Sequence, residues 1–207
     1  VELWGGEPFL YWKDMVEIIE MTDAPGREFF ISTNGSAIRQ KHVDYFAKMK
    51  GVVLINISHD GPEHETLRGE DILNNIVSIN MLKQLADLSP RVQYGFGCVV
   101  SKTNYDLYKI NDFFKEVERK IGIPDLKLTF IPAKNYDATN SENSADHVIN
   151  GDDLVKFNEI MGRFIEDCLK DPDRKRFLKN NVLESEEGIW HYANFLKNQA
   201  PITTTTG

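Results

Sequence analysis

Cysteine is almost absent from this 207-residue chain, where Cys98 and Cys168 are the only two. Two thiols so far apart make neither a disulfide framework nor a thiolate metal site, so a reducing cytoplasm is the expected compartment. Basic residues are in deficit, with 24 Lys and Arg against 32 Asp and Glu for a formal net charge of -8. That balance removes the electrostatic footprint of a nucleic-acid or anionic-membrane binder. Long apolar runs are missing as well. Val52 to Ile57 is among the longest, and it is strand-sized, far short of the roughly 20 residues that span a bilayer. The opening Val-Glu-Leu-Trp-Gly-Gly has no basic n-region, no apolar h-region and no initiator Met. It therefore reads as a start within a longer protein and not as a signal peptide. Asn34-Gly35-Ser36 matches a glycosylation sequon, but without a secretory signal it reads as a turn after a strand.

What the chain does have is 41% hydrophobic and 11% aromatic residues, enough for one substantial core. These are arranged in an alternation of strand and helix patterns. Val1 to Trp4 is extended and closed by Gly5-Gly6, and Met15, Val16, Ile18 and Ile19 then recur at helical spacing between Leu10 and Met21. Phe29 to Thr33 is the next β-rich run, followed by the stripe Ile38, Val43, Phe46 and Met49. Val52 to Ser58 is apolar enough to predict a strand buried on both faces. An irregular stretch from Gly61 to Gly69 separates it from a helix over Asp71 to Leu88. Val92 to Val100, a helix over Leu107 to Ile121 and a strand over Leu126 to Ile131 complete the alternation. Parallel neighbours need a covering crossover between them, so the pattern predicts an α/β fold with a parallel sheet, open or closed into a barrel.

Lys134 to Asn150 is polar and poor in large apolar residues, and reads as a long loop that faces substrate or connects elements. A helix over Asp152 to Leu169 follows, then short helical segments near Arg174 to Val182 and Ser185 to Asn198, and a patternless Thr203 to Thr206. The expected organisation is a core over 1–170, a helical segment over 171–200 and a tail over 201–207.

Parallel α/β folds build their sites at the carboxyl ends of the strands. Here those ends carry Gly5-Gly6-Glu7-Pro8, Ser32-Thr33-Asn34-Gly35, Ser58-His59-Asp60-Gly61-Pro62, Ser101 to Asn104, and Pro132. Gly5 and Gly6 let a ligand approach the backbone without Cβ interference, beside a carboxylate able to hold an ammonium group. His59, Asp60 and His64, with Glu65, also offer imidazole and carboxylate to a metal, which opens a metal-dependent hydrolase as an alternative. The five histidines, His42, His59, His64, His147 and His191, otherwise read as surface or capping residues. Trp4, Trp12 and Trp190 read as packing, and Cys98 and Cys168 as small core residues.

Taken in order, Glu-Leu-Trp-Gly-Gly-Glu-Pro-Phe-Leu at 2 to 10, Ile-Ser-Thr-Asn-Gly at 31 to 35 and Ile-Ser-His-Asp-Gly-Pro at 57 to 62 are joined by Arg68-Gly69, Cys98-Val99-Val100 and Leu128 to Pro132. Together these motifs resemble the radical S-adenosylmethionine (AdoMet) enzymes, most closely their peptide-modifying and sulfatase-maturase branch, over residues 1 to about 170. The resemblance implies a partial parallel (β/α)6 barrel lacking its first strand. It also implies a 4Fe-4S cluster that cleaves AdoMet reductively to a 5′-deoxyadenosyl radical, a peptide or protein substrate that loses hydrogen, and a reducing partner such as flavodoxin or ferredoxin.

By the same resemblance, Gly5, Gly6, Glu7 and Pro8 hold the methionine ammonium, and Ser58 and Arg68 approach its carboxylate or the ribose. Asn34 lines the cleft, while Val100, Ile131 and Pro132 approach the adenine. One departure is plain. The family's CxxxCxxC cluster loop precedes the strand that here begins at Val1, and this sequence has none. Cys98 and Cys168 do not replace three thiolates on one loop, so the chain alone is expected to be inactive. The stretch from Ser58 to Arg68 is also shorter than in many relatives. A catalytically silent binding domain that kept the fold and lost the cysteines is the alternative in a different class.

Overall fold

Five β-rich runs become strands: β1 (Glu2–Leu3), β2 (Glu28–Thr33), β3 (Val52–Ser58), β4 (Val92–Val100) and β5 (Lys127–Pro132). Between and after them, among the described residues, lie six helices: α1 (Trp12–Thr22), α2 (Gln40–Phe46), α3 (His64–Arg68), α4 (Ile76–Asp87), α5 (Leu107–Ile121) and α6 (Gly151–Lys170). The computed structural model describes residues 1–3, 5–123, 126–132, 149 and 151–171. Trp4, Trp190, His147, His191, most of the 134–150 loop and the segments beyond residue 171 lie outside the described residues.

The chain divides into two compact units, one of Val1–Val100 with Lys109–Pro132, the other of Ser101–Tyr108 with Ala133–Gly207. The first holds the sheet, all of whose pairings are parallel, in the order β1-β2-β3-β4-β5. Strand order thus equals sequence order. A doubly wound sheet reverses its order at a switch point and covers both faces, whereas a barrel sheet advances one strand at a time under a single layer of helices.

The burial pattern agrees with the barrel arrangement. Phe29, Ile31, Val53, Ile57, Phe96 and Cys98 are fully buried, and share one core with Ile19 of α1, Phe46 of α2, Leu85 of α4 and Phe114 of α5. Each such side chain removed from water contributes about 1.5–3 kcal/mol. The alternate residues fall on the other face, where Phe30 is 38% exposed and Ser32, Leu54, Asn56, Ser58 and Gln93 are half-buried. The expectation that β3 is buried on both faces is therefore corrected: its residues alternate between half-buried and buried, because the helices cover one face only.

Two local differences have capping causes. The helix predicted from Asp71 begins instead at Ile76, because the Asn75 side chain accepts hydrogen bonds from the Val77 and Ser78 N–H groups and sets the first turn there. Asp71 caps a separate 3₁₀ turn, Ile72–Asn74, through the Leu73 N–H. The irregular stretch after β3 holds a 3₁₀ turn, Gly61–Glu63, and the short helix α3.

In the second unit, the Tyr108 ring meets Phe164 of α6 edge-on at 4.9 Å and its hydroxyl donates to Asp167 at 2.8 Å. Phe164, Ile165 and Cys168 form the buried stripe of that helix.

Candidate functional site

The rim begins where β1 ends. Gly5 and Gly6 have φ of 105° and 57°, the left-handed region that L side chains rarely adopt, and a Cβ on either would meet nothing within 4 Å. Backbone conformation, and not packing, demands glycine there, and it leaves bare peptide facing open space. Pro8 opens the 3₁₀ turn Pro8–Tyr11, and Glu7 caps it by accepting from the Phe9 N–H at 3.2 Å.

Glu7 also reaches the end of β2, accepting from the Thr33 hydroxyl at 2.7 Å and the Asn34 N–H at 2.9 Å. Glu7 is thus a structural tie as well as the ammonium ligand that the resemblance implies. Three of its four or so lone-pair sites are spent tying the Gly-Gly corner to β2, so one site remains alongside the bare Gly5-Gly6 backbone. The Asn34 side chain folds back to accept from the Ser36 N–H and hydroxyl.

Beyond β3 lies a buried polar knot. Ser58, half-buried at the strand end, sits in register with Gly97 of β4. His59 is fully buried, with Nε2 on Asp71 Oδ1 at 2.9 Å and Nδ1 accepting from the Gly61 N–H at 3.1 Å. That pair of bonds assigns the proton to Nε2. His64 stacks on it with ring centroids 4.0 Å apart and planes 13° off parallel, and its own Nδ1 accepts from the Asp60 N–H. The Asp60 carboxylate, 4% exposed, receives Arg68 Nε at 2.5 Å and the Val99 N–H at 3.0 Å. Burial holds His59 below the ordinary imidazole range, against the opposing pull of its bond to Asp71.

The far side of the rim is the end of β4 beside β5, where Val99 pairs with Ile131 and Val100 with Pro132. Val100 is 3% exposed and on the helix-covered face, so it offers the rim its backbone alone, while Ile131 is half-buried on the open face. A Cβ on Gly97 would stand 2.9 Å from both side-chain amide atoms of Asn56 and 3.2 Å from Ile131 Cδ1. Gly97 is therefore the notch in which the Asn56 amide lies flat across the open face.

The structure brings Gly5, Gly6, Glu7 and Asn34 together through the Glu7 bonds, Ser58 beside Gly97, and Val100, Ile131 and Pro132 on paired strands. Arg68 joins this edge through Asp60. Among the described residues no hydrogen bond links the Glu7 cluster to the Arg68 cluster.

The metal reading of His59, Asp60 and His64 is corrected: two imidazoles stacked face to face, each with Nδ1 committed to a backbone N–H, do not converge on one ion. Among the described residues no group of three His, Cys, Asp or Glu side chains is placed to hold a metal. Of the reading of His42, His59 and His64 as surface or capping residues, the surface half is corrected, for all three are buried, while His42 does cap the start of α2. His42 packs against Phe9 and Trp12, accepts from the Arg39 N–H through Nδ1, and is held by burial at a pKa of about 4.

Sequence reasoning missed the pairing of Asp60 with Arg68 and Val99, and the role of Asp71. The partners lie 8, 39 and 12 residues apart with turns between them, so no continuous helix or strand carries a period from one to the other and only the folded loop reveals them.

No protein-family model and no curated protein matches this sequence. Solved structures do. A polyhistidine-tagged anSMEcpe with bound AdoMet is 20% identical with a TM-score of 0.55, over 82% of this chain and 45% of that one. Native anSMEcpe with bound AdoMet is 22% identical with a TM-score of 0.56, over 82% and 47%. Native anSMEcpe with bound AdoMet and Cp18Cys peptide is 21% identical with a TM-score of 0.55, over 82% and 47% again. These are structures of an anaerobic sulfatase-maturing enzyme, a radical AdoMet maturase. The likeness establishes the α/β partial-barrel fold, and this chain spans about half the length of those proteins. Among the described residues no helix is long and apolar enough to cross a membrane.

Proposed function

We propose that this chain is the AdoMet-binding core of a radical AdoMet enzyme that modifies a peptide or protein. The observation that supports the reading is that Gly5-Gly6-Glu7-Pro8, Asn34 and Ser58 stand at or just after the carboxyl ends of three neighbouring parallel strands, with Arg68 tied through Asp60 to the loop after the third. The fold of that sheet is shared with a protein solved with AdoMet and peptide bound. In this reading the bare Gly5-Gly6 peptides and the remaining Glu7 lone pair receive the methionine ammonium. Pro8 fixes the turn that presents them. Ser58 and Arg68 donate to the carboxylate or ribose, Asn34 borders the same cleft, and the strand-end backbone at Val100, Ile131 and Pro132 flanks the adenine.

The residues present do not fit a 4Fe-4S cluster. Cys98 and Cys168 are both fully buried and lie on a strand and a helix of different units, so no step through a cluster is derived for this chain. In the proposal the thiolates belong to the whole enzyme, which also meets its reducing partner in the cytoplasm, and this chain alone binds AdoMet without cleaving it. The full burial of both Cys98 and Cys168 favours a second reading, a silent AdoMet-binding domain. A CxxxCxxC loop in the parent gene upstream of Val1 separates the two.

Isothermal titration of AdoMet into the chain tests the shared claim. Saturable binding at one site per chain, weakened by Arg68→Ala, is expected. Absence of heat at millimolar AdoMet overturns it.

A further inference from the structure

We propose that Asp60 is a positioning residue: it grips one edge of the Arg68 guanidinium so that the other edge is presented to a ligand carboxylate. The inference rests on the reading of Arg68 as an AdoMet contact. A guanidinium has two edges that match a carboxylate, Nε with Nη2 along its side and Nη1 with Nη2 at its end. Asp60 takes the side edge, accepting from Nε at 2.5 Å through Oδ2 and from Nη2 at 3.4 Å through Oδ1. Nη1 donates to no described residue, and the Arg68 side chain is 39% exposed. The end edge is therefore without a described protein partner, on a partly exposed side chain whose direction is already set.

Asp60 holds that direction because it is itself held. Its Oδ1 also accepts the Val99 N–H at the end of β4, and its backbone N–H donates to His64 Nδ1. His64 lies on the ring of His59, which Asp71 fixes in turn. An unheld arginine on a five-residue helix ending at Gly69 samples many rotamers and forfeits that freedom on binding. The held one does not. The buried carboxylate and the guanidinium also cancel in net charge, so what Arg68 offers is a directed pair of N–H groups, suited to a planar carboxylate such as that of an amino-acid moiety.

The test uses two ligands and a double-mutant cycle on the chain, read by calorimetry. AdoMet carries the carboxylate, and 5′-methylthioadenosine has the same nucleoside without it. Asp60→Asn is expected to weaken AdoMet about tenfold, the scale of one charge-assisted contact, and to leave 5′-methylthioadenosine unchanged. In an Arg68→Ala background the same substitution is expected to have no further effect. If Asp60→Asn does not fold, judged by its thermal midpoint, Asp60→Glu takes its place with the same expectations. Equal weakening of both ligands, an unchanged AdoMet affinity, or an effect that persists without Arg68 each overturns the inference and leaves the AdoMet reading standing. Wild-type chain that binds neither ligand overturns the AdoMet reading, and this inference with it.

Discussion

His42 makes a quantitative prediction about acid. Its ring packs on Trp12 at 4.3 Å and Phe9 at 4.9 Å, its Nδ1 accepts the Arg39 N–H, and its Nε2 is buried with no partner. Protonation would replace that acceptor with a donor and bring a third positive charge beside Arg39 and Lys41, so burial and these neighbours hold the folded pKa at about 4 against 6.5 when unfolded. The folded pKa is the lower one, so the unfolded chain takes up the proton first and stability falls as pH drops below 6.5. Linkage then puts the loss between about pH 7.5 and about pH 5 at about 2 kcal/mol, approaching roughly 3 kcal/mol below about pH 4. The assay is urea unfolding of wild type and His42→Phe at both pH values. Phe keeps the aromatic packing and forfeits the bond to the Arg39 N–H, a cost that does not vary with pH, while the carboxylates and His59 contribute to both proteins alike. Wild type should lose about 2 kcal/mol more than His42→Phe, a midpoint difference of about 1 M urea at a slope of roughly 2 kcal/mol/M. Equal losses in the two proteins would refute the account of His42 as a buried neutral imidazole.

Three further substitutions probe the rim. Gly97→Ala puts a methyl 2.9 Å from the Asn56 amide and should cost about 1–3 kcal/mol by overpacking. Asn56→Ala in the same chain should recover most of that in a urea titration, and a cost that survives the double substitution would place the strain elsewhere. Glu7→Ala removes the acceptor shared by Phe9, Thr33 and Asn34 and should lower stability by about 2 kcal/mol. An unaltered thermal midpoint would restore Glu7 to the status of a free ligand carboxylate.

The bounds of Val52–Ser58, Val92–Val100 and Leu107–Ile121 are those that periodicity predicts, because their apolar spacing is set by a strand or helix packing on one core. The stripe of Ile38, Val43, Phe46 and Met49 is buried throughout for the same reason. The stretch from His59 to Asp71 was not legible. Its helix is five residues long, too short for a period to emerge, and its order comes from side-chain bonds between residues remote in sequence. The corner at Gly5-Gly6 was legible because glycine pairs announce positive φ, yet the three bonds of Glu7 span up to 27 residues and leave no local mark.

The covering of the sheet on one face alone divides each strand between two kinds of selection. Along β3, Val53, Ile55 and Ile57 are judged by whether they fill space under the helices, whereas Leu54, Asn56 and Ser58, one residue away, are judged by what they meet on the uncovered side. A saturation scan scored for abundance should therefore rise and fall with a period of two, and the same scan scored for ligand binding should carry that period shifted by one residue. Adjacent codons in a single strand thus evolve under different constraints, and one face of the sheet is free to change its chemistry while the other preserves the fold.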